Sequence, residues 1–437
     1  MSERSVPWAR EPRVGVVLPP EHDPTWAAGA RWCALLEAWG IPFESVQDET
    51  PEGWTTLLTP DMLPVLDGPG REDERAEAAF AVLEAYASAG LVGLWRWPQG
   101  KAAALVLDGD VDHPTGVDPE CARYVAPAIE TMRRAGYEGY GIFAAGANVD
   151  VEPDSFPPGA DYYNHSLSHP YSYWEPAEWA TLSGERMAEE IERCDATFRT
   201  RLGTDDHRMF RLPHFQWEAW ERSAAVLDRL GYVAESSVGA NHGVTGGLPY
   251  HQAIDPWDDG PEDAALRRTH PDPGRRHRFL QLPISADPSD RAFPNGCCSY
   301  NTLDEGVRNR TAAPEDYEAL LQEVVDRAVA VGGLAHVFID PPDAGYGRLD
   351  GDTQDYAGAV ERWLARATRR GDLALMSAAE LAAWWRARAD AVGRLGWRLD
   401  GDALRVRLDD PPPGAALALF RPDAGWVVEP IRAEEAA

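Results

Sequence analysis

The sequence predicts an α/β protein whose largest part is a (β/α) barrel, expected to be incomplete. Three observations predict it. From about residue 100 to 390, short apolar runs that read as strands alternate with segments of helical periodicity. The run at 102–107 ends in three acids spaced two apart, Asp108, Asp110 and Asp112. On an extended chain all three face one side, at the carboxyl end of a strand, where parallel α/β folds place their chemistry. Finally, 437 residues of which 44% are hydrophobic suffice for two or three domains around a large core.

Taken in order, residues 13–18 (RVGVVL) have strand composition and stop at Pro19-Pro20. Asp23-Pro24-Thr25 opens a helix to Trp39, with apolar residues every three or four positions and Gly40 as its stop. Residues 41–46 and 62–66 (MLPVL) read as further strands, and 72–89 as a helix. This alternation implies a small parallel sheet, so residues 1–99 resemble a flavodoxin-like or glutamine-amidotransferase-like layer. They contain no nucleophile elbow and no GxGxxG. Their expected role is packing, contact with a second copy in a homo-oligomer, or roofing a cleft. Pro98-Gln99-Gly100 marks the boundary.

In the second unit, 100–390, helices are expected at 117–135, 183–202, 220–230, 314–331, 354–369 and 377–391. Strands are expected at 139–144, 209–213, 231–233, 279–284, 333–339 and 374–376. Residues 240–277, rich in Gly, Pro, Asp and His, read as a long insertion, a candidate lid. From Leu395 the pattern changes to polar–apolar alternation with turns at Asp400-Gly401 and 411–414, which makes 391–437 a small antiparallel β appendage.

The net charge of -31 argues against nucleic acid or an anionic membrane surface as partner, since both need a basic patch. Lys101 is the only lysine. Five cysteines, an odd count without a CxxC pair, argue against a disulfide framework or a thiolate zinc site; adjacent Cys297 and Cys298 have no assigned role. No signal-peptide h-region and no apolar run of membrane-spanning length is visible, so a cytoplasmic location is the expectation.

Residues 164–170 (NHSLSHP) carry His165 and His169, four apart, a spacing that converges on one helix face or in a tight loop. Two imidazoles and one carboxylate would leave a metal position open for water, and Asp112 is the best third ligand. The internal Glu of HExxH is missing, which excludes a zincin. Taken together, LDGDVDH, HSLSH, FRLPHF, GYVAESS and LAHVF, in that order, resemble the motifs of NodB-type polysaccharide deacetylases, carbohydrate esterase family 4. The resemblance covers about residues 100–390, and MSAAELAAWWRAR resembles the last helix of that family.

The resemblance implies a NodB-like barrel and metal-assisted hydrolysis of an acetyl amide on an N-acetylated sugar. A divalent metal, zinc first, would be held by Asp112, His165 and His169. Asp110 would be the base, oriented by Arg211, and His336 the acid that protonates the leaving amine. The family's usual first motif has adjacent acids; the DVD spacing here resembles a known variant. In an alternative register Asp108 is the base and Asp110 the ligand. Glu235 stands where the family's fourth motif has Asp. His113 and His214 flank the motifs, and Tyr171, Tyr173 and Trp174 are candidate sugar platforms. Two other readings stay open: a hydrolase of another small or cyclic amide, and a non-catalytic glycan-binding relative.

Overall fold

The computed structural model describes residues 14–20, 23, 25–47, 56–64, 72–87, 90–111, 121–170, 178–204, 208–213, 220–240, 245, 247–254, 270–285, 313–341, 355–400, 403–421 and 424–431. In the first unit, β1 (Val14–Val17) is buried at every position, as a strand covered on both faces must be. It pairs in parallel with β2 (Glu44–Val46) and β3 (Thr56–Leu58) in the order β2-β1-β3. Helices α1 (Trp26–Trp39) and α2 (Glu72–Tyr86) accompany these strands. Asp23 Oδ1 accepts from the Thr25 N–H at 2.8 Å before α1, and Gly40 ends it at φ 73°.

The strand expected at 62–66 does not form where it is described. Pro60–Met62 is a 3₁₀ turn instead, and Pro64 has no N–H to give a ladder; residues 65–66 lie outside the described residues. After α2, the strand β4 (Leu91–Leu94) leads into the second unit.

The acid-bearing strand, β5 (Ala103–Val111), is nine residues long and buried throughout. It lies within a sheet of β6 (Gly141–Ala144), β7 (Asp161–Asn164), β8 (Met209–Phe210), β9 (Ala234–Glu235), β10 (Tyr250–Ala253), β11 (Arg276–Gln281), β12 (Leu334–Phe338) and β13 (Leu373–Leu375). The order is β10-β11-β9-β8-β7-β6-β5-β12, with β13 also on β5. All pairs are parallel except β10 with β11. β10 thus gives part of the expected insertion a regular structure; residues 255–269 lie outside the described residues. Between 282–285 and β12, the Ser285 N–H donates to the His336 carbonyl at 2.8 Å.

Parallel strands need crossover helices. They are α3 (Val125–Arg134), α4 (Gly146–Val151), α5 (Glu178–Thr181), α6 (Gly184–Arg201), α7 (Trp220–Leu230), α8 (Pro314–Val331) and α9 (Tyr356–Ala367); α10 (Ala378–Val392) follows the last strand. Side chains set the starts of several. Ser183 caps α6 by accepting from the Arg186 N–H, and Ser377 with Glu380 forms a capping box on α10. Val125, Ile129 and Met132 of α3 and Val360, Trp363 and Leu364 of α9 bury one face against Leu105 and Leu107 of β5.

A second buried cluster joins both units. It holds Trp32 and Leu36 of α1, Leu83 of α2, Ala104 and Val106 of β5, and Leu381 and Trp385 of α10. Arg388 ties the same junction: Nε donates to the Trp95 carbonyl at 3.0 Å and Nη2 to the Ala38 and Leu94 carbonyls at 3.1 Å. The C-terminal segment forms two antiparallel pairs, β14 (Gly396–Asp400) with β15 (Ala403–Arg407) and β16 (Ala416–Arg421) with β17 (Gly425–Pro430). The second pair takes β4 as its third strand, so the last strand of the first unit and the C-terminal segment share one sheet. Among the described residues no helix is long and apolar enough to cross a membrane.

Candidate active site

Alternation along β5 puts Asp108 and Asp110 on one face. Gly109 between them is required by close approach: a Cβ there would stand 2.1 Å from the Ile339 carbonyl oxygen. Both carboxyl groups meet Arg211, which directly follows β8. Its Nη2 donates to Asp108 Oδ1 at 2.9 Å and its Nη1 to Asp110 Oδ1 at 2.7 Å. Nε and Nη2 also donate to the carbonyl and hydroxyl oxygens of Ser236, at 2.6 and 3.0 Å. The guanidinium plane lies 4.0 Å from the Phe143 ring centroid and 5.1 Å from that of Phe338. Arg211 is fully buried, a placement that costs several kcal/mol in desolvation unless each donor is matched, as here.

Asp108 is also fully enclosed. Burial pushes its carboxyl up, but Arg211 and His336 outweigh that and hold it below the ordinary value. His336 Nε2 lies 2.6 Å from Asp108 Oδ2, and its Nδ1 lies 3.1 Å from the Pro283 carbonyl oxygen. Both ring nitrogens thus face oxygen atoms, which fixes the ring in place. Asp110 differs: its second oxygen, Oδ2, faces His165 Nε2 at 3.5 Å, and the group keeps slight exposure.

The two histidines are in a loop after β7, not on a helix. Ser166 and His169 take left-handed backbone conformations, at φ 67° and 46°, which fold the loop tightly. The rings come to 4.6 Å between centroids. Asn164 Oδ1 accepts from the Ser166 N–H at 2.8 Å, Ser166 Oγ from the His169 N–H at 3.0 Å, and Glu190 Oε2 from the Ser168 N–H at 2.8 Å. His165 Nδ1 lies 3.0 Å from the Arg211 carbonyl. A carbonyl only accepts, so Nδ1 donates to it, and Nε2 is turned toward Asp110.

The structure therefore brings together Asp110, Arg211, His165, His169 and His336, with Asp108 behind them. Asp112, His113, Tyr171, Tyr173, Trp174, His214, Cys297 and Cys298 lie outside the described residues. Several supporting groups were missed in the sequence. Asp340 Oδ1 accepts the Asp110 N–H at 2.7 Å, across 230 positions of chain. Ser236, Asn164 and Glu190 brace Arg211 and the histidine loop. The available signal was position: Asp340 follows a strand end and Asn164 precedes HSLSH. Glu235 is buried beside this cluster, and burial pushes its carboxyl up to about 7.

Among the described residues no group of three metal-donor side chains is assembled. The donors that are described still fit a divalent ion: a histidine whose Nδ1 is held by a carbonyl, as in His165, is oriented as metal-bound histidines usually are.

No family model matches this chain, and no curated protein matches it. Among solved structures, it is similar to a protein from Mycobacterium smegmatis assigned as a polysaccharide deacetylase, with 14% identity, 67% of this chain and 93% of that one covered, and a TM-score of 0.45. It is similar to 4-alpha-glucanotransferase from Thermococcus litoralis, with 11% identity, 65% of this chain and 40% of that one, and a TM-score of 0.42. It is also similar to peptidoglycan deacetylase PdaC from Bacillus subtilis, with 13% identity, 68% and 96% coverage, and a TM-score of 0.32. At these identities and scores none of the likenesses settles the fold or the activity.

Proposed function

We propose that this chain is a metal-dependent hydrolase that removes an acetyl group from the nitrogen of an N-acetylated sugar or polysaccharide. The observation that carries the reading is the state of Asp110: one oxygen is held by Arg211, and the other faces His165 Nε2 at 3.5 Å. Asp112, His165 and His169 would hold the ion. When bound there, a divalent cation such as Zn²⁺ polarises the acyl carbonyl and acidifies a water. Arg211 fixes Oδ1 of Asp110, so Oδ2 is the atom that accepts the proton from water. His336 carries the proton for the leaving amine; its ring is sealed against Asp108, so delivery requires it to turn out of that contact. The seam between Ser285 and His336 would close the barrel, and residues 1–99 and 391–437 would pack around it.

The same 3.5 Å contact also favours a second register, with Asp110 as the metal-binding acid and Asp108 as base. Against it stands the enclosure of Asp108, which water does not reach. Acetate release from chito-oligosaccharides, with and without chelator, tests the activity, and elemental analysis tests the register. The expected results are chelator-sensitive release, metal loss in His165→Ala, and in Asp110→Asn full metal content without turnover. Metal-loaded protein that releases acetate from no acetylated amine would overturn the activity. Metal loss in Asp110→Asn would move the register by two residues.

A further inference from the structure

A cavity lies at the other end of the same sheet. Its floor includes Ala102, just before β5, and Gly332 and Gly333, just before β12, so it adjoins the amino ends of strands whose carboxyl halves carry Asp108, Asp110 and His336. It encloses about 500 Å³, within the roughly 300–1,000 Å³ of small-molecule sites.

Three half-buried rings line it, Phe80, Trp95 and Trp426. Trp426 Nε1 donates to Glu84 Oε1 and Trp95 Nε1 to the Lys101 carbonyl, both at 2.6 Å, so both indoles are fixed by their edges. Phe80 and Trp426 stack 17° from parallel with centroids 5.5 Å apart.

Arg96, only 4% exposed, stands beside them, its guanidinium 4.9 Å from the Phe80 centroid and 5.6 Å from that of Trp95. Nη1 donates to the Val331 and Gly332 carbonyls at 2.9 and 3.0 Å. Gly332 permits this seat: it takes φ 67°, and a Cβ there would meet Arg96 Nη1 at 2.9 Å. Among the described residues no carboxylate forms an ion pair with Arg96. Glu84, also on the lining, is the charge that acts on it. Glu77 on the rim is matched by Arg327 at 2.9 Å.

The lining thus offers a cation and an anion in near balance, with aromatic faces between them. An anionic ligand would meet Glu84, and a cationic one Arg96. A ring of hydroxyl groups suits both, accepting from Arg96, donating to Glu84 and laying its C–H face on an aromatic ring. We propose that this cavity binds a neutral pyranoside, as a second saccharide site separate from the candidate active site. The inference stands apart from the hydrolase reading.

Calorimetric titration of the full chain with cellotriose, xylotriose, maltotriose and chitotriose, each to about 10 mM, tests it. At least one trisaccharide is expected to bind the wild type and His165→Ala equally. Trp426→Ala is expected to weaken that binding roughly tenfold, the loss of one stacking ring, and Glu84→Gln to weaken it less. If Trp426→Ala loses its cooperative melting transition, Phe80→Leu takes its place. The proposal is overturned if none of the four binds, if binding vanishes in His165→Ala but survives the aromatic variants, or if only a phosphorylated sugar such as glucose 6-phosphate binds.

Discussion

Glu235→Gln is the perturbation whose size follows most directly from the structure. Glu235 is 3% exposed on β9, and among the described residues neither carboxyl oxygen has a hydrogen-bond donor of good geometry. Burial raises it from 4.5 to about 7; the nearby polar groups of Ser237 and Gln281, and after them the Arg211 charge, pull the other way without overcoming it. Because the folded value lies above the unfolded one, the folded state binds the extra proton between the two. Stability from this group is therefore complete below about pH 4.5 and is lost as pH rises to about 7, with no further change above. At about 1.4 kcal/mol per pH unit, the loss amounts to about 3 kcal/mol. Glutamine keeps the neutral shape and does not titrate. Urea unfolding of both proteins between about pH 5 and 8.5 isolates the group, since every other titration is common to the two. The gap is expected to move toward the glutamine variant by most of that amount as pH rises. A gap independent of pH would refute the reasoning, because it would mean that Glu235 is ionised throughout the range.

Two further outcomes follow from the same geometry. Arg211→Met leaves two buried carboxylates and the Ser236 oxygens without their donor, so a loss of about 3–5 kcal/mol is expected in denaturant unfolding; a loss within error would mean that the acids find other partners. Gly109→Ala drives a Cβ to 2.1 Å from the Ile339 carbonyl oxygen, so β5 must shift away from 339–340. Its melting temperature is expected to fall and its turnover with it, and unchanged values for both would show that the approach is looser than the structure has it.

Much of the scaffold could be read from local signals because those signals are physical constraints. Gly40 ends α1 because only a left-handed residue turns the chain there, and Ser377 with Glu380 opens α10 because both satisfy otherwise orphaned N–H groups. Asp110, His165, His169, Arg211 and His336, which the structure brings together, could be picked out because each lies in a short motif. Residues 62–66 misled because an apolar run looks alike in a strand and in a proline-opened turn. The convergence of His165 and His169 was open between helix and loop, and the left-handed Ser166 and His169 decided it without leaving a compositional trace. Asp340, which receives the Asp110 N–H, and Pro283 and Ser285, which seat His336, come from far along the chain. Nothing local marks such partners, since they are set by how distant strands line up.

The bonding of the inner cluster bears on which acid would meet a cation. Arg211 holds one oxygen of Asp108 and one of Asp110, and His336 faces the second oxygen of Asp108. Asp108 therefore has both oxygens engaged inside the protein, whereas Asp110 turns its second oxygen toward His165. An ion placed next to the histidines would meet Asp110 first, and Asp108 only after its bonds to Arg211 and His336 had broken. That is the physical reason to test Asp110 by substitution and metal content before any other described acid.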